Sequence, residues 1–128
     1  MPIERRTMLG GALAAVGAAR GAQAQETSAM YGLIGKMTAK PGQRDSLIAI
    51  LLEGVSGMPG CLSYIVGQDP KDADAIWITE VWETAASHKA SLSLPSVQAA
   101  IAKGRPLIAG MDAGTETVVV GGHGLVQS

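Results

Sequence analysis

The sequence contains no phenylalanine, and aromatic residues make up only 3% of its 128 residues. The whole chain has two tryptophans and two tyrosines. A binding site for a flat organic molecule must draw on these four side chains, so each of them is a candidate. Hydrophobic residues nevertheless make up 47% of the chain, which is enough to form the core of one domain.

Cysteine and histidine are also scarce. Cys61 is the only cysteine, so no internal disulfide can form, and a packing role in the core is expected for it. The chain has two histidines and contains neither an H-x-x-H nor a C-x-x-C motif, which are spacings typical of metal sites. The sequence therefore predicts that no metal is bound.

Basic residues do not gather in any stretch of the chain. Charged residues make up 16% of it, and the net charge is −1. A clustered basic surface is the usual mark of a protein that binds nucleic acid. Nucleic acid is therefore not expected as a partner.

Residues 1–24 have the features of an export signal that is removed from the mature protein. Arg5 and Arg6 precede a mildly apolar stretch, residues 8–19, which is too short to span a bilayer as a stable helix. Ala22-Gln23-Ala24 then offers an A-x-A cleavage site. The segment resembles a twin-arginine signal and predicts export to the periplasm, or secretion, without stable membrane insertion after cleavage. The alternative is a misassigned start codon ahead of a cytoplasmic domain.

The remaining residues, 25–128, show the pattern of one small α+β domain. Apolar residues alternate as in strands over residues 30–40, 61–68, 75–83 and 115–120. Helical spacing covers residues 45–55, 84–92 and 95–108. The order β-α-β-β-α-β predicts a ferredoxin-like fold, in which helices cover one face of a four-stranded antiparallel sheet.

The third predicted strand is apolar on both of its faces. Ile76 and Ile78 point to one side, whereas Trp77 and Val81 point to the other. Because the helices can cover only one face, we expect a second subunit to cover the other face. The sequence therefore predicts a homodimer.

Several segments together carry a family resemblance. They are Tyr31-Gly32-Leu33-Ile34, Pro59-Gly60-Cys61-Leu62-Ser63-Tyr64, Leu94-Pro95-Ser96-Val97, and the strand Ile76-Trp77-Ile78-Thr79-Glu80-Val81-Trp82-Glu83 with His88 beyond it. Over residues 30–125 they are similar to the antibiotic biosynthesis monooxygenase family, and in particular to its quinol monooxygenases. The resemblance implies a dimeric α/β barrel with a pocket in each subunit. It also implies oxidation of a quinol-like or polyphenolic aromatic by O₂ without a cofactor.

Oxygenation without a cofactor requires an electron-rich substrate, an apolar cavity and an acid/base group. His88 and Glu80 are the candidate catalytic residues. An imidazole ordinarily titrates near neutral pH, and a buried carboxylate can act as a base because burial raises its pKa. The alternatives are that His88 is simply exposed on its helix, and that Glu80 forms a structural ion pair with Arg105 or Lys36.

The candidate substrate-binding residues are aromatic. Tyr31 and Tyr64 fall on inward faces of their strands, where a hydroxyl group could donate a hydrogen bond to a substrate oxygen, and Trp82 could form part of the pocket wall. The alternative for each is ordinary packing in the core. Three methionines could line a deformable cavity, namely Met37, Met58 and Met111, but ordinary packing is the favoured interpretation for them.

The resemblance also bears on cofactors. A haem-degrading branch of the family uses Asn, Trp and His at positions that align with Gly35, Ser91 and Ile101, so neither haem nor another cofactor is expected, and O₂ is the co-substrate. Two other functions remain open on the sequence. One is a non-oxygenating isomerase or lyase-like enzyme of the same fold, and the other is a non-enzymatic dimer that binds small molecules or responds to stress.

Overall fold

The structure, a computed structural model, describes residues 29–125. The predicted export signal therefore lies outside the described residues. The described part of the chain contains strands β1 (Met30–Ala39), β2 (Cys61–Gln68), β3 (Ala75–Trp82), β4 (Ile108–Met111) and β5 (Thr115–Val119), and helices α1 (Arg44–Gly54), α2 (Ala85–Ser91) and α3 (Pro95–Gly104). Among these residues, no helix is long and apolar enough to cross a membrane.

The strands form one antiparallel sheet in the order β2-β3-β1-β4, and β5 also pairs with β1. β4 pairs with the C-terminal end of β1, and β5 pairs with the N-terminal half of β1. These two short strands together form the outer edge of the sheet. The predicted α+β, ferredoxin-like fold is confirmed, with one addition. The described residues form five strands rather than four, because the short strand β4 precedes the predicted last strand, which forms β5.

The prediction that the last helix runs to Ile108 is wrong. α3 ends at Gly104, a 3₁₀ turn covers Arg105–Leu107, and Ile108 begins β4. Pro106 lies within this turn, and a proline inside an α-helix lacks an N–H donor and clashes with the preceding turn. The chain therefore leaves the helix here and returns to the edge of β1.

Local sequence signals set the starts of the two shorter helices. Thr84 is the N-cap of α2, and its side-chain oxygen accepts a hydrogen bond of 3.0 Å from the backbone N–H of Ser87. Pro95 occupies the first position of α3, where its missing N–H is not needed. Both starts agree with the sequence prediction.

The two faces of the sheet differ in their cover. On the face beneath the helices, Ile76, Ile78 and Trp82 are buried. On the opposite face, Ile34, Ile65 and Trp77 are 40%, 60% and 42% exposed. We call these three side chains the open face.

α1 and α3 lie very close together where they cross. A Cβ atom added to Gly54 would lie 2.6 Å from the Cβ of Ala100. A Cβ added to Gly104 would lie 3.2 Å from a terminal methyl group of Leu47, which is buried in the core. Glycine at these positions therefore permits the close approach that sets the position of α3 above the sheet.

Candidate functional site

A cavity of about 660 Å³ lies between the helices and the covered face of the sheet. Apolar side chains from β1, α1, β3 and α3 form most of its wall, including Leu33, Leu47, Leu51, Ile78 and Val97. Met37, Met58 and Met111, the three methionines that the sequence offers as a possible cavity lining, all line this cavity. The volume is within the usual range for sites that bind small organic molecules.

Glu80 places a carboxylate on this apolar wall. It lies directly across from Leu33 on β1 and from Tyr64 on β2, so it occupies the middle of the covered face. Its side chain is 12% exposed, and its Oε1 accepts a hydrogen bond of 2.8 Å from the indole Nε1 of Trp82. Burial raises the pKa of Glu80 above its ordinary value, although the Trp82 hydrogen bond and the charge of His88 partly oppose the rise.

His88 extends from α2 to the same point of the cavity. Its Nε2 lies 3.8 Å from Oε1 of Glu80, which is longer than a direct hydrogen bond. The side chain is 22% exposed, so it is in contact with both the cavity and solvent. The arrangement suits proton exchange between the carboxylate and the imidazole after a small movement or through one water molecule.

Glu80 does not form the structural ion pair that the sequence left open. Lys36 lies on the opposite face of the sheet, where its Nζ is 5.4 Å from the centre of the Trp77 ring. Arg105 lines the cavity, but within residues 29–125 no ion pair joins it to Glu80. The carboxylate is therefore available to a molecule in the cavity.

The two candidate tyrosines have different positions. Tyr64 lines the cavity, and burial raises the pKa of its hydroxyl group far above the ordinary value, so it remains protonated and can donate a hydrogen bond. Tyr31 is not among the described residues that line the cavity. Its ring centre is 5.3 Å from that of His88, and its hydroxyl group donates a hydrogen bond of 2.7 Å to Glu116.

The structure thus brings Glu80, His88, Tyr64 and Trp82 together on one cavity and leaves Tyr31 outside it. Sequence reasoning missed Glu116, because its contact with Tyr31 depends on the pairing of β5 with β1. It also missed Asp112, which enters the cavity wall from the chain just after β4. No local sequence pattern predicts that either residue lies near the site.

The cavity wall offers little to hold an iron cofactor. The positions that align with the haem-degrading branch, Gly35, Ser91 and Ile101, all line the cavity and supply no nitrogen ligand. Ser91 is buried, and its Oγ donates a hydrogen bond of 2.6 Å to the carbonyl group of His88. Among residues 29–125, no group of three His, Cys, Asp or Glu side chains is placed to hold a metal ion.

Comparison with known proteins identifies the family. The family model described as antibiotic biosynthesis monooxygenase matches residues 30–103, more than half of the chain. This chain belongs to the antibiotic biosynthesis monooxygenase family. Among curated proteins, none matches it.

Solved structures agree with the assignment. A candidate antibiotic biosynthesis monooxygenase from Chloroflexus aurantiacus J-10-fl is 77% identical, with a TM-score of 0.73, over 75% of this chain and 98% of that one. A candidate monooxygenase of the same family from Caulobacter crescentus CB15 is 17% identical, with a TM-score of 0.68, over 79% of this chain and 99% of that one. The protein PA3566 from Pseudomonas aeruginosa is 21% identical, with a TM-score of 0.65, over 74% and 98%. The last two similarities show the fold alone.

Proposed function

We propose that this protein is a monooxygenase that needs no cofactor and oxidises a quinol-like or polyphenolic aromatic with O₂. The observation that carries the proposal is an apolar cavity of about 660 Å³ whose wall contains Glu80 and His88 with 3.8 Å between Oε1 and Nε2. Membership of a monooxygenase family supports the type of reaction. The apolar wall and the adjacent acid/base groups support the class of substrate.

The proposed reaction begins when Glu80 or His88 accepts a proton from a substrate hydroxyl group. The resulting phenolate is electron-rich enough to reduce O₂, and a C–O bond forms to give a ring peroxide anion, which takes back the proton and becomes a hydroperoxide. The O–O bond and the C–H bond at the same ring carbon then break with loss of water, which leaves a hydroxylated quinone. One quinol and one O₂ thus give one hydroxyquinone and one water, and the substrate supplies all four electrons.

Two neighbouring side chains assist this scheme. The Trp82 indole donates to the Glu80 carboxylate and so fixes its direction at the cavity wall. The Tyr64 hydroxyl group, whose pKa is raised by burial, can donate to the oxygen on which negative charge develops. The raised pKa of Glu80 makes its carboxylate a stronger base than an exposed glutamate.

Turnover of menadiol under ¹⁸O₂ tests the proposal. We expect enzyme-dependent O₂ uptake, with one labelled oxygen in the hydroxyquinone and the other in water. Uptake that yields unlabelled menadione and hydrogen peroxide would show a simple oxidase reaction and contradict monooxygenation. Absence of any uptake above the rate of autoxidation, with menadiol and with larger polyphenols, would contradict the whole proposal.

Substitutions at the two acid/base residues test the site. Glu80→Gln and His88→Ala should each lower kcat by about 10²-fold, the usual share of general acid/base catalysis. Glu53→Gln and His123→Ala are matched controls, because Glu53 is exposed beside Lys103 and His123 lies in the exposed tail. If neither cavity substitution changes turnover, catalysis rests on the substrate's own reactivity, and the assignment of the two residues is wrong.

We also propose that residues 1–24 direct export to the periplasm by the twin-arginine route. Arg5 and Arg6 ahead of a mildly apolar stretch support this, as does the site at Ala22-Gln23-Ala24. Sequencing of the exported protein should find Gln25 at or near its N-terminus. Recovery of Met1 would contradict cleavage.

A further inference from the structure

The imidazole of His88 lies between two aromatic rings. Tyr31 and Trp82 are directly paired across β1 and β3, so their side chains lie side by side on the covered face. The His88 ring centre is 5.3 Å from that of Tyr31, at a tilted angle, and 5.5 Å from that of Trp82, edge to face. These two contacts restrict the directions that the imidazole can take and leave Nε2 pointing toward Glu80.

The two rings are held in place by different groups. The indole of Trp82 is 1% exposed and donates to Glu80, so the core itself fixes it. Tyr31 is near the edge of the sheet and depends on Glu116, whose Oε2 accepts its hydroxyl hydrogen at 2.7 Å. β5 pairs Glu116 with Leu33 and Val118 with Tyr31, so Glu116 is the diagonal neighbour of Tyr31 on the same face.

The hydrogen bond between Tyr31 and Glu116 persists at neutral pH. Burial, followed by the hydrogen bond with Glu116, raises the pKa of Tyr31 to about 12, so its hydroxyl group remains a donor. Tyr31 does not line the cavity with the other candidate residues, so it is not placed to contact a molecule bound there. Its contacts are with His88 and Glu116.

We propose that Tyr31 and Glu116 form a positioning pair that holds the His88 imidazole beside the Glu80 carboxylate. Neither residue is catalytic in this role, because neither lines the cavity among the described residues. The kinetic part of the proposal rests on the proposed function. The structural part does not, because it concerns the distance between two side chains in the free protein.

The titratable and charged groups around Glu80 and His88 come from several elements. They are Cys61 and Tyr64 on β2, Tyr31 on β1, Glu116 on β5, the exposed Lys89 beside His88 on α2, Arg105 in the 3₁₀ turn and Asp112 just after β4. The pKa values of Cys61, Tyr31 and Tyr64 are all raised, mainly by burial, so these three stay neutral between about pH 4 and 8. The titration of the Glu80 carboxyl can therefore be read without interference from them.

The sign of the change in the Glu80 pKa separates positioning from simple loosening. In the wild type, the charge of His88 lowers the pKa of Glu80 against the effect of burial. If a substitution lets His88 move away, the pKa of Glu80 must rise, because an imidazole is ordinarily cationic over most of the range in which a carboxyl titrates. If a substitution only admits water to the cavity, the pKa of Glu80 must fall toward its ordinary value.

NMR titration of the Glu80 carboxyl carbon in the free protein tests the structural part. His88→Ala gives the largest rise in the Glu80 pKa, and Tyr31→Leu should approach it. Tyr31→Phe and Glu116→Ala each remove the same hydrogen bond, so they should give equal, smaller rises that do not add in the double variant. Glu116→Gln, whose amide oxygen still accepts, should restore most of the wild-type value, and Glu53→Gln is the surface control.

Kinetics with menadiol tests the consequence for the reaction. Tyr31→Phe and Glu116→Ala should lower kcat by up to about 10²-fold, the cost of misplacing a group by about 1 Å, with KM unchanged. An unchanged or lowered Glu80 pKa in both variants would overturn the proposal even if O₂ uptake is normal. A raised pKa without any turnover in the wild type would uphold the positioning pair and contradict the proposed function instead.

Discussion

At the scale of single residues, Glu80 links the stability of the domain to its chemistry. Its carboxyl group is 12% exposed on an apolar wall, with the Trp82 indole as its hydrogen-bond donor. Burial raises the pKa of Glu80 in the folded state above the unfolded value of about 4.3. The folded protein therefore binds this proton more tightly than the unfolded chain. The contribution of Glu80 is most favourable below about pH 4.3 and is lost as pH rises through the folded pKa.

Glu80→Gln should remove the stability loss that the ionisation of Glu80 causes as pH rises. The glutamine oxygen can still accept from Trp82, so the main change is the missing charge. We expect the free energy of unfolding of the variant to improve relative to the wild type as pH rises above about 4.3, and then to level off. Urea unfolding between pH 4 and 8 measures it. Glu53→Gln, whose carboxylate is 72% exposed, should show no such trend, and a flat difference for Glu80→Gln would contradict the buried, proton-binding carboxyl.

At the scale of elements, we expect the close approach of α1 and α3 to determine the width of the cavity. Gly54 and Ala100 meet at the crossing, and both line the cavity. Gly54→Ala improves helix propensity by about 1 kcal/mol but places a Cβ 2.6 Å from that of Ala100, and overpacking costs about 1–3 kcal/mol. We therefore expect a net loss of about 1 kcal/mol and a fall of about 4–8 °C in Tm.

A compensating substitution provides the control for this prediction. Adding Ala100→Gly to Gly54→Ala removes the colliding methyl group and keeps the number of glycines at the crossing the same. The double variant should therefore recover most of the lost Tm in thermal unfolding. A rise in Tm for Gly54→Ala alone would show that α3 shifts away at little cost and that the crossing does not determine the cavity width.

The individual strands and helices differ in how well they could be predicted from the sequence. β2 and β3 lie where alternation of apolar residues predicts them, and α2 starts at its Thr84 cap. These elements are specified by residues close together in the chain. β4 has four residues and pairs with β1 across a register shift between Thr38 and Ala39, so its identity depends on a distant strand. No periodicity can develop in so short a segment.

The residues of the candidate site also differ in how well the sequence alone predicts their positions. Glu80 is recognisable because it interrupts an apolar strand, and His88 because it follows that strand on a short helix. The place of Tyr31 is different, because its neighbours are decided by the register of β1 against β3 and β5. Sequence reasoning could place its side chain on the inner face but could not show that Tyr31 contacts His88 and is not among the described residues that line the cavity.

At the scale of the whole molecule, the open face is the feature that a single chain leaves unexplained. Ile34, Ile65 and Trp77 expose 40%, 60% and 42% of their surface on one side of the sheet. The polar atom of Trp77 is already satisfied, because its Nε1 donates a hydrogen bond of 2.9 Å to Asp69. Its ring could therefore be buried against another apolar surface without leaving a hydrogen-bond donor unpaired. We propose that the open face is covered by the same face of a second subunit, as the sequence predicts.

Substitution of the open face tests this assembly. The mature domain should sediment as a dimer at micromolar concentration, whereas Trp77→Lys and Ile65→Lys should each shift it to monomer, because a lysine at either position would have to be desolvated in the interface. Leu52→Lys is the matched control, since Leu52 is 54% exposed on α1, away from the open face, and should leave the dimer intact. The sheet separates the open face from the cavity, and Leu52 is exposed on α1, so circular dichroism should remain that of the folded domain in all three variants. A wild-type chain that sediments as a clean monomer would contradict the dimer, and the open face would then need a different partner.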